Sequence, residues 1–193
     1  NAMTVSGPGS TIDAASNVIL GLNDLINRLS IESVLDLPCG DFHWMQKVNL
    51  DQVQYLGADI VSDLIKTNQK QFAKNHLRFT TLDVIGDSLP KADLMISRDC
   101  FVHFSYRDIF SAMQNILDSE VDFLLTTTFT QSRLNYDIVT GDWRPVNLER
   151  PPFNFPKPLL LILENVNQDH KRSFRGKALA LWKIAELRNS LKL

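Results

Sequence analysis

The sequence predicts an α/β fold: a mostly parallel, doubly wound sheet with helices on both faces. Three observations carry this reading. Short apolar runs near 33–37, 54–58, 78–82, 93–97 and 121–126 alternate with stretches of helical periodicity, the order that parallel sheets require. The first run passes straight into an acid-flanked turn, Asp36-Leu-Pro-Cys-Gly-Asp41, where open α/β sheets bind ligands. Two last apolar runs, 159–164 and 178–184, are placed to close the sheet as an antiparallel pair.

Each element follows from local chemistry. Asn1-Ala2 ahead of Met3 reads as a cloning remnant, and no signal peptide is expected after it. Residues 4–11, with two glycines and a proline, form an arm. Ser10 or Thr11 then caps a helix, with Asp13 in a weak capping-box position. Ile12, Ala15, Ile19, Leu22, Ile26 and Leu29 mark one face of that helix. Val61, Leu64, Ile65 and Phe72 mark a second helix, and Ile109, Phe110, Met113, Ile116 and Leu117 a third. The alternation breaks after Thr127. Residues 130–158 hold five of the eight prolines, which forbids a long helix. Trp143, Phe153 and Phe155 within them argue for an ordered, functional loop.

Composition sets the outer limits. A chain of 193 residues, 44% hydrophobic, suits one globular domain with a full core. No apolar run approaches the ~20 residues of a membrane helix. Two cysteines, Cys39 and Cys100, support neither a disulfide framework nor a zinc site. No metal is predicted, and a reduced cytoplasmic setting is expected. Residues 1–132 carry 9 basic against 16 acidic side chains, and residues 133–193 carry 11 against 6. The first part suits a cationic ligand and the second an anionic one; solvated surface is the plainer reading of both. The basic run His170–Lys177 is expected to be a solvated hairpin tip or a feature facing an anionic acceptor.

The first turn discriminates between nucleotides. A pyrophosphate at a helix N-terminus needs bare glycine backbone, yet only Gly40 is available, and Asp41 would repel it. A sulfonium nucleoside, which carries two positive groups, welcomes these acids. Nineteen residues after Gly40, Asp59 ends the second strand, where an acid accepts ribose hydroxyls. As plainer readings, Asp36 is a strand-end acid, Asp41 an N-cap and Asp83 a loop cap.

The stretch Asp36-Leu-Pro-Cys-Gly-Asp-Phe42 resembles the acid-x-Gly-x-Gly-x-Gly motif of class I S-adenosylmethionine-dependent methyltransferases, departing from it at Pro38 and Phe42. Together with SGPGST, SRDCFVHF, LLTTTF and TGDWRPVNLERPPFNFPKPL, it is similar to a stand-alone group of such proteins with no assigned acceptor. The resemblance implies a Rossmann-like, seven-stranded sheet closed by an antiparallel hairpin. It implies a single domain: arm 1–11, donor-binding core 33–127, proline-rich substrate insert 128–158 and closing hairpin 159–193. S-adenosylmethionine is the implied cofactor. Asp36, Pro38, Cys39, Gly40, Asp41 and Trp44 would hold it at the first turn. Asp59 and Ile60 would take the ribose side, Asp83 and Val84 the adenine, with Arg98 completing the set.

The resemblance places the reacting groups after the fourth strand, at Arg98, Asp99 and His103. His103 suits a general base because its ordinary pKa lies near neutrality. Asp99 would orient His103 or take the proton itself, and Arg98 would clamp a substrate anion. An Arg98–Asp99 ion pair with His103 as a helix cap is the alternative. Ser10 in the closing arm, and Trp143 and Arg144 in the insert, are the substrate-binding candidates. The expected reaction is methyl transfer to oxygen or nitrogen of a small-molecule acceptor, with anionic acceptors included. The alternatives are an RNA or protein methyltransferase, disfavoured by the net charge of −2, and a non-catalytic S-adenosylmethionine-binding module. A nicotinamide oxidoreductase stands third. No membrane partner is expected.

Overall fold

The computed structural model describes residues 4–164 and 174–191. Its seven strands are β1 (Ser33–Asp36), β2 (Gln54–Asp59), β3 (Leu77–Thr81), β4 (Ala92–Ser97), β5 (Val121–Phe129), β6 (Leu160–Leu163) and β7 (Lys177–Lys183). They lie in the order β3-β2-β1-β4-β5-β7-β6. The first five are parallel, and β7 runs antiparallel between β5 and β6. From β1 the chain moves outward to β2 and β3, then crosses back to β4 on the other side. That reversal opens a crevice beyond the carboxyl ends of β1 and β4.

Four helices cover the sheet: α1 (Ile12–Leu29), α2 (Ser62–Phe72), α3 (Tyr106–Asp118) and α4 (Ile184–Ser190). Residue alternation along the strands divides the interior in two. Val34, Tyr55, Phe79 and Leu94 face α1 and α2, whereas Leu35, Ala58, Met95, Leu124 and Trp182 face α3 and α4. Buried on both faces, these strands read as continuous apolar runs, which is why the sequence located them.

Local details correct the expectations. Thr11, not Ser10, caps α1, its hydroxyl accepting from the Ala14 N–H at 3.3 Å. Ile12 and Leu29 lie at the helix ends and are exposed, while Val18 and Leu25 join the buried face. Strand β5 runs on to Phe129, because Thr127, Thr128 and Phe129 are all buried against β7. His170 to Ser173 of the basic run lie outside the described residues. Its last member, Lys177, points inward and is buried.

Residues 130–159 form neither helix nor strand, yet they are tied down. Val146, Leu148, Phe153 and Phe155 sink into the core beneath α3. The Asn135 amide imitates a strand partner: its oxygen accepts from the Asn147 N–H and its nitrogen donates to the Asn147 carbonyl, both at 2.9 Å. Arg144, fully buried, donates to the Phe101 carbonyl at 2.8 Å and the Tyr136 carbonyl at 3.1 Å. The insert is therefore a fixed wall.

Close packing leaves one strand position without room for any side chain. A Cβ built on Gly57 of β2 would stand 2.7 Å from the Phe79 ring and 3.0 Å from that of Tyr55. Gly57→Ala is expected to cost about 1–3 kcal/mol of stability through overpacking, read as a lower denaturant midpoint with an unchanged slope.

Candidate active site

The turn after β1 sets the floor of the crevice. The Leu37–Pro38 bond is cis, and Gly40 and Phe42 both take left-handed backbone, at φ of 56° and 58°. Phe42 stands where the motif that this turn resembles has glycine. Its strain, on the order of 1–3 kcal/mol, is offset by burial of its ring among Tyr55, Phe72 and Phe79 at centroid distances of 5.2–5.3 Å. At Gly40 a Cβ would fall 2.5 Å from the Ser6 hydroxyl, so only glycine lets the arm descend onto the turn.

Asp41 latches that arm. Its carboxylate accepts from the Thr4 hydroxyl at 2.6 Å, the Val5 N–H at 2.7 Å and the His43 N–H at 3.2 Å. In return its own N–H donates to Ser6 at 2.9 Å. Partial burial opposes ionisation of Asp41, but the bonds from Thr4, Val5 and His43 prevail and hold its carboxyl below the usual range.

Beneath the arm lies a hollow of about 300 Å³. Around it the structure gathers Ser10, Pro38, Cys39, Gly40, Asp41, Trp44, Asp59, Arg98, Asp99 and His103, all site candidates from the sequence. The arm adds Val5 and Ser6, and the start of α2 adds Val61 and Leu64. Asp59, at the tip of β2, accepts the Gly40 N–H at 3.2 Å and the Val61 N–H at 3.0 Å on separate oxygens. A carboxylate offers about four lone-pair sites, so each oxygen keeps one for a ligand hydroxyl. Both cysteines are poor nucleophiles: burial raises the Cys39 thiol and pushes that of Cys100 up to about 12.

Several candidates stand elsewhere. Asp36 does not line the hollow. It is 2% exposed and accepts the Tyr55 hydroxyl at 2.7 Å. Asp83 caps its own loop, accepting the Ile85 N–H at 2.9 Å. Val84 is buried, and Ile60 is 65% exposed. Arg144 braces the insert and does not line the hollow. Trp143 packs against Phe129 and Phe174 at 6.0 and 5.3 Å between ring centroids.

The expected pairings at the end of β4 are also corrected. Arg98 does not clamp a free anion; its fork is filled by Glu164, with Nε 3.2 Å from one carboxylate oxygen, and it donates to the Gly9 carbonyl at 2.8 Å. Asp99 pairs with neither Arg98 nor His103. Its carboxylate meets Lys177 at 2.7 Å, and its N–H donates to the Thr127 hydroxyl at 2.8 Å. Lys177 also reaches Glu164 at 3.2 Å. Burial works against the Asp99 charge, yet Lys177 and Arg98 hold its carboxyl below the ordinary range. That makes it a poor proton acceptor.

His103 is oriented by the insert instead. Its Nδ1 lies 2.9 Å from the Asp142 carbonyl. A carbonyl oxygen only accepts, so Nδ1 carries the hydrogen and the neutral ring keeps its lone pair on Nε2. The backbone secures this contact on both sides: Gly141 N–H donates to the His103 carbonyl at 2.8 Å, and Arg144 N–H to that of Val102 at 3.0 Å. Sequence reasoning missed Thr4, Asp142 and Glu164. Thr4 and Glu164 lie outside the stretches that carry the resemblance, Asp142 lies inside one without a role of its own, and each acts across a separation of more than 30 residues.

No protein-family model and no curated protein matches the chain at the sequence level. Solved structures do. PigF, solved with SAH, superposes with a TM-score of 0.62 at 12% identity, over 88% of this chain and 55% of PigF. The methyltransferase domain of bacterial CtHen1-CN gives 0.59 at 8% identity, over 88% and 99%. TehB from Haemophilus influenzae gives 0.57 at 16% identity, over 84% and 61%. The chain thus spans less than two thirds of PigF and of TehB, and 66% of the related CtHen1-C domain. The fold these share is the Rossmann-like fold of class I methyltransferases. Among the described residues, no helix is long and apolar enough to cross a membrane.

Buried Asp36 has a consequence for stability. Desolvation outweighs the opposing Tyr55 hydrogen bond and Arg98 charge and pushes its pKa from 3.8 up to about 7. A raised carboxyl stabilises the fold fully below its unfolded value, and that stability is lost as pH rises through the folded value. The loss, roughly 4 kcal/mol, falls between about pH 4 and 7. Asp36→Asn is expected to flatten that part of the profile, measured by denaturant midpoints from pH 4 to 8.

Proposed function

We propose that this protein is an S-adenosylmethionine-dependent methyltransferase acting on oxygen or nitrogen of a small-molecule acceptor. The observation that carries the reading is the arm-roofed hollow at the sheet's reversal point, lined by the three carboxylates of Asp41, Asp59 and Asp99 against the single guanidinium of Arg98. A sulfonium and an ammonium group fit such a lining; a pyrophosphate does not. PigF, of the same fold, was solved with SAH.

The residues that line the hollow suit this cofactor. Asp59 has the spare lone pairs that a ribose diol needs. The turn Pro38–Asp41 and Trp44 would surround the amino-acid end, with Ser6 and Ser10 closing over it. Ile60 and the Asp83–Val84 turn would flank the base; the Leu82 N–H bonded to the Asp59 carbonyl at 3.2 Å brings that turn beside the end of β2. When bound, the cofactor supplies a methyl group on positively charged sulfur for in-line transfer to an acceptor lone pair.

The protein's own residues do the rest. His103 Nε2, left basic by the Asp142 carbonyl, takes the acceptor's proton. Asp99, kept ionised by Lys177, stays negative beside it. The arm roofs the donor and the insert orients His103, and positioning of this kind is worth up to roughly 7–11 kcal/mol of barrier.

Two measurements test the reading. In calorimetric titration S-adenosylmethionine is expected to bind the chain, and Asp59→Ala to weaken it at least tenfold; no heat at millimolar donor would sink the cofactor assignment. In an acceptor screen read by release of demethylated product, His103→Ala is expected to lower turnover about 10²–10⁴-fold with donor affinity within twofold.

A further inference from the structure

A second hollow, about 600 Å³ in volume, opens beyond the ends of β5 and β7. Arg133, Arg150 and Arg175 line it with Phe129, Thr130 and Ser132, and among the described residues no acid takes part. Among the described residues, none of the three guanidiniums is in an ion pair or a side-chain hydrogen bond. Outside the hollow, Arg28, Arg98 and Arg107 pair with Asp24, Glu164 and Asp108, while Arg144 and Arg188 donate to backbone carbonyls. Three uncompensated cations around one concavity repel each other until an anion enters.

The backbone holds each of the three in place. The Arg150 N–H donates to the Asn147 carbonyl at 3.1 Å, and its carbonyl accepts from Phe153 at 3.0 Å. The Asn147 amide donates to the Ser132 carbonyl at 2.9 Å, beside Arg133. Gly176 takes a φ of 73°, and a Cβ there would meet the Gln131 backbone nitrogen at 2.9 Å. This close approach of β7's entry to β5's exit sets Arg175 next to residues 130–133. The three exposed arginines thus rise from a held main chain around one concavity, and a planar guanidinium fork suits phosphate or carboxylate.

The two hollows share no lining residue, but both are tied to neighbouring positions of β5. Thr127 bonds Asp99 in the donor hollow, and Phe129, two residues on along β5, lines the basic one. Two strand residues span roughly 7 Å. Trp143 follows Asp142, which orients His103, and its ring packs against Phe129.

We infer that this hollow anchors the methyl acceptor by a phosphate or carboxylate group, holding the acceptor's reactive atom toward His103. The role as acceptor anchor rests on the methyltransferase reading; the anion site rests on the three arginines alone. Inorganic phosphate and citrate, titrated separately into the full chain at constant ionic strength, test it. Expected is saturable binding of at least one, weakened about tenfold by each of Arg133→Gln, Arg150→Gln and Arg175→Gln, with S-adenosylmethionine affinity and melting temperature unchanged. The tighter of the two anions distinguishes a phosphoester acceptor from a carboxylate one.

Donor binding without any arginine-dependent anion binding overturns the inference and leaves the methyltransferase reading intact. Anion binding without donor binding overturns the acceptor role. Binding of an RNA oligonucleotide while both small anions fail also overturns it, in favour of a polyanion surface.

Discussion

Three buried charges and one partly exposed carboxylate, linked together, hold the end of the fold that carries the hollow. Arg98 leaves the end of β4, Asp99 follows it, Glu164 follows β6, and Lys177 opens β7; their side chains are 4%, 32%, 2% and 6% exposed. Each cation meets a carboxylate, and Lys177 meets two. Burying such groups is costly on its own, and removing one partner strands the rest at about 3–5 kcal/mol. The network therefore works as a fastening of elements far apart in sequence more than as a source of net stability. Through the Arg98 bond to the Gly9 carbonyl it also secures the N-terminal arm.

This fastening explains how an irregular chain encloses a defined hollow. The arm is held twice, by Asp41 at the turn after β1 and by Arg98 at the end of β4. The insert is held by its own apolar residues, by Arg144 and by backbone bonds to residues 102 and 103. Between them sits His103, with its tautomer set by a carbonyl. Loops normally carry function at the cost of mobility; here both are bonded on two sides.

Strain gathers at the same place. Gly40, Phe42 and Asp99 all adopt left-handed backbone at the carboxyl ends of β1 and β4. Asp99 tolerates it because its carboxylate and N–H are both spoken for, by Lys177 and Thr127. Phe42 tolerates it because its ring joins a four-member aromatic cluster. Strained residues persist where their surroundings over-determine them, and both strand ends meet that condition.

The sequence by itself determined the alternation of strands and helices, the antiparallel closure and the two strand-end turns that line the hollow. Apolar periodicity and turn residues act over a few positions, so they survive in a single chain read alone. The conformation of Asp59, which bonds residues 40 and 61, followed the same local logic. Only the tertiary structure decided which acids line the hollow. It turned Asp36 inward to Tyr55, left Asp83 to cap its loop, drew Lys177 into the interior and matched Arg98 with Glu164, 66 residues away. A buried charge is satisfied by whatever the fold brings within about 4 Å, and no spacing along the chain encodes that neighbour.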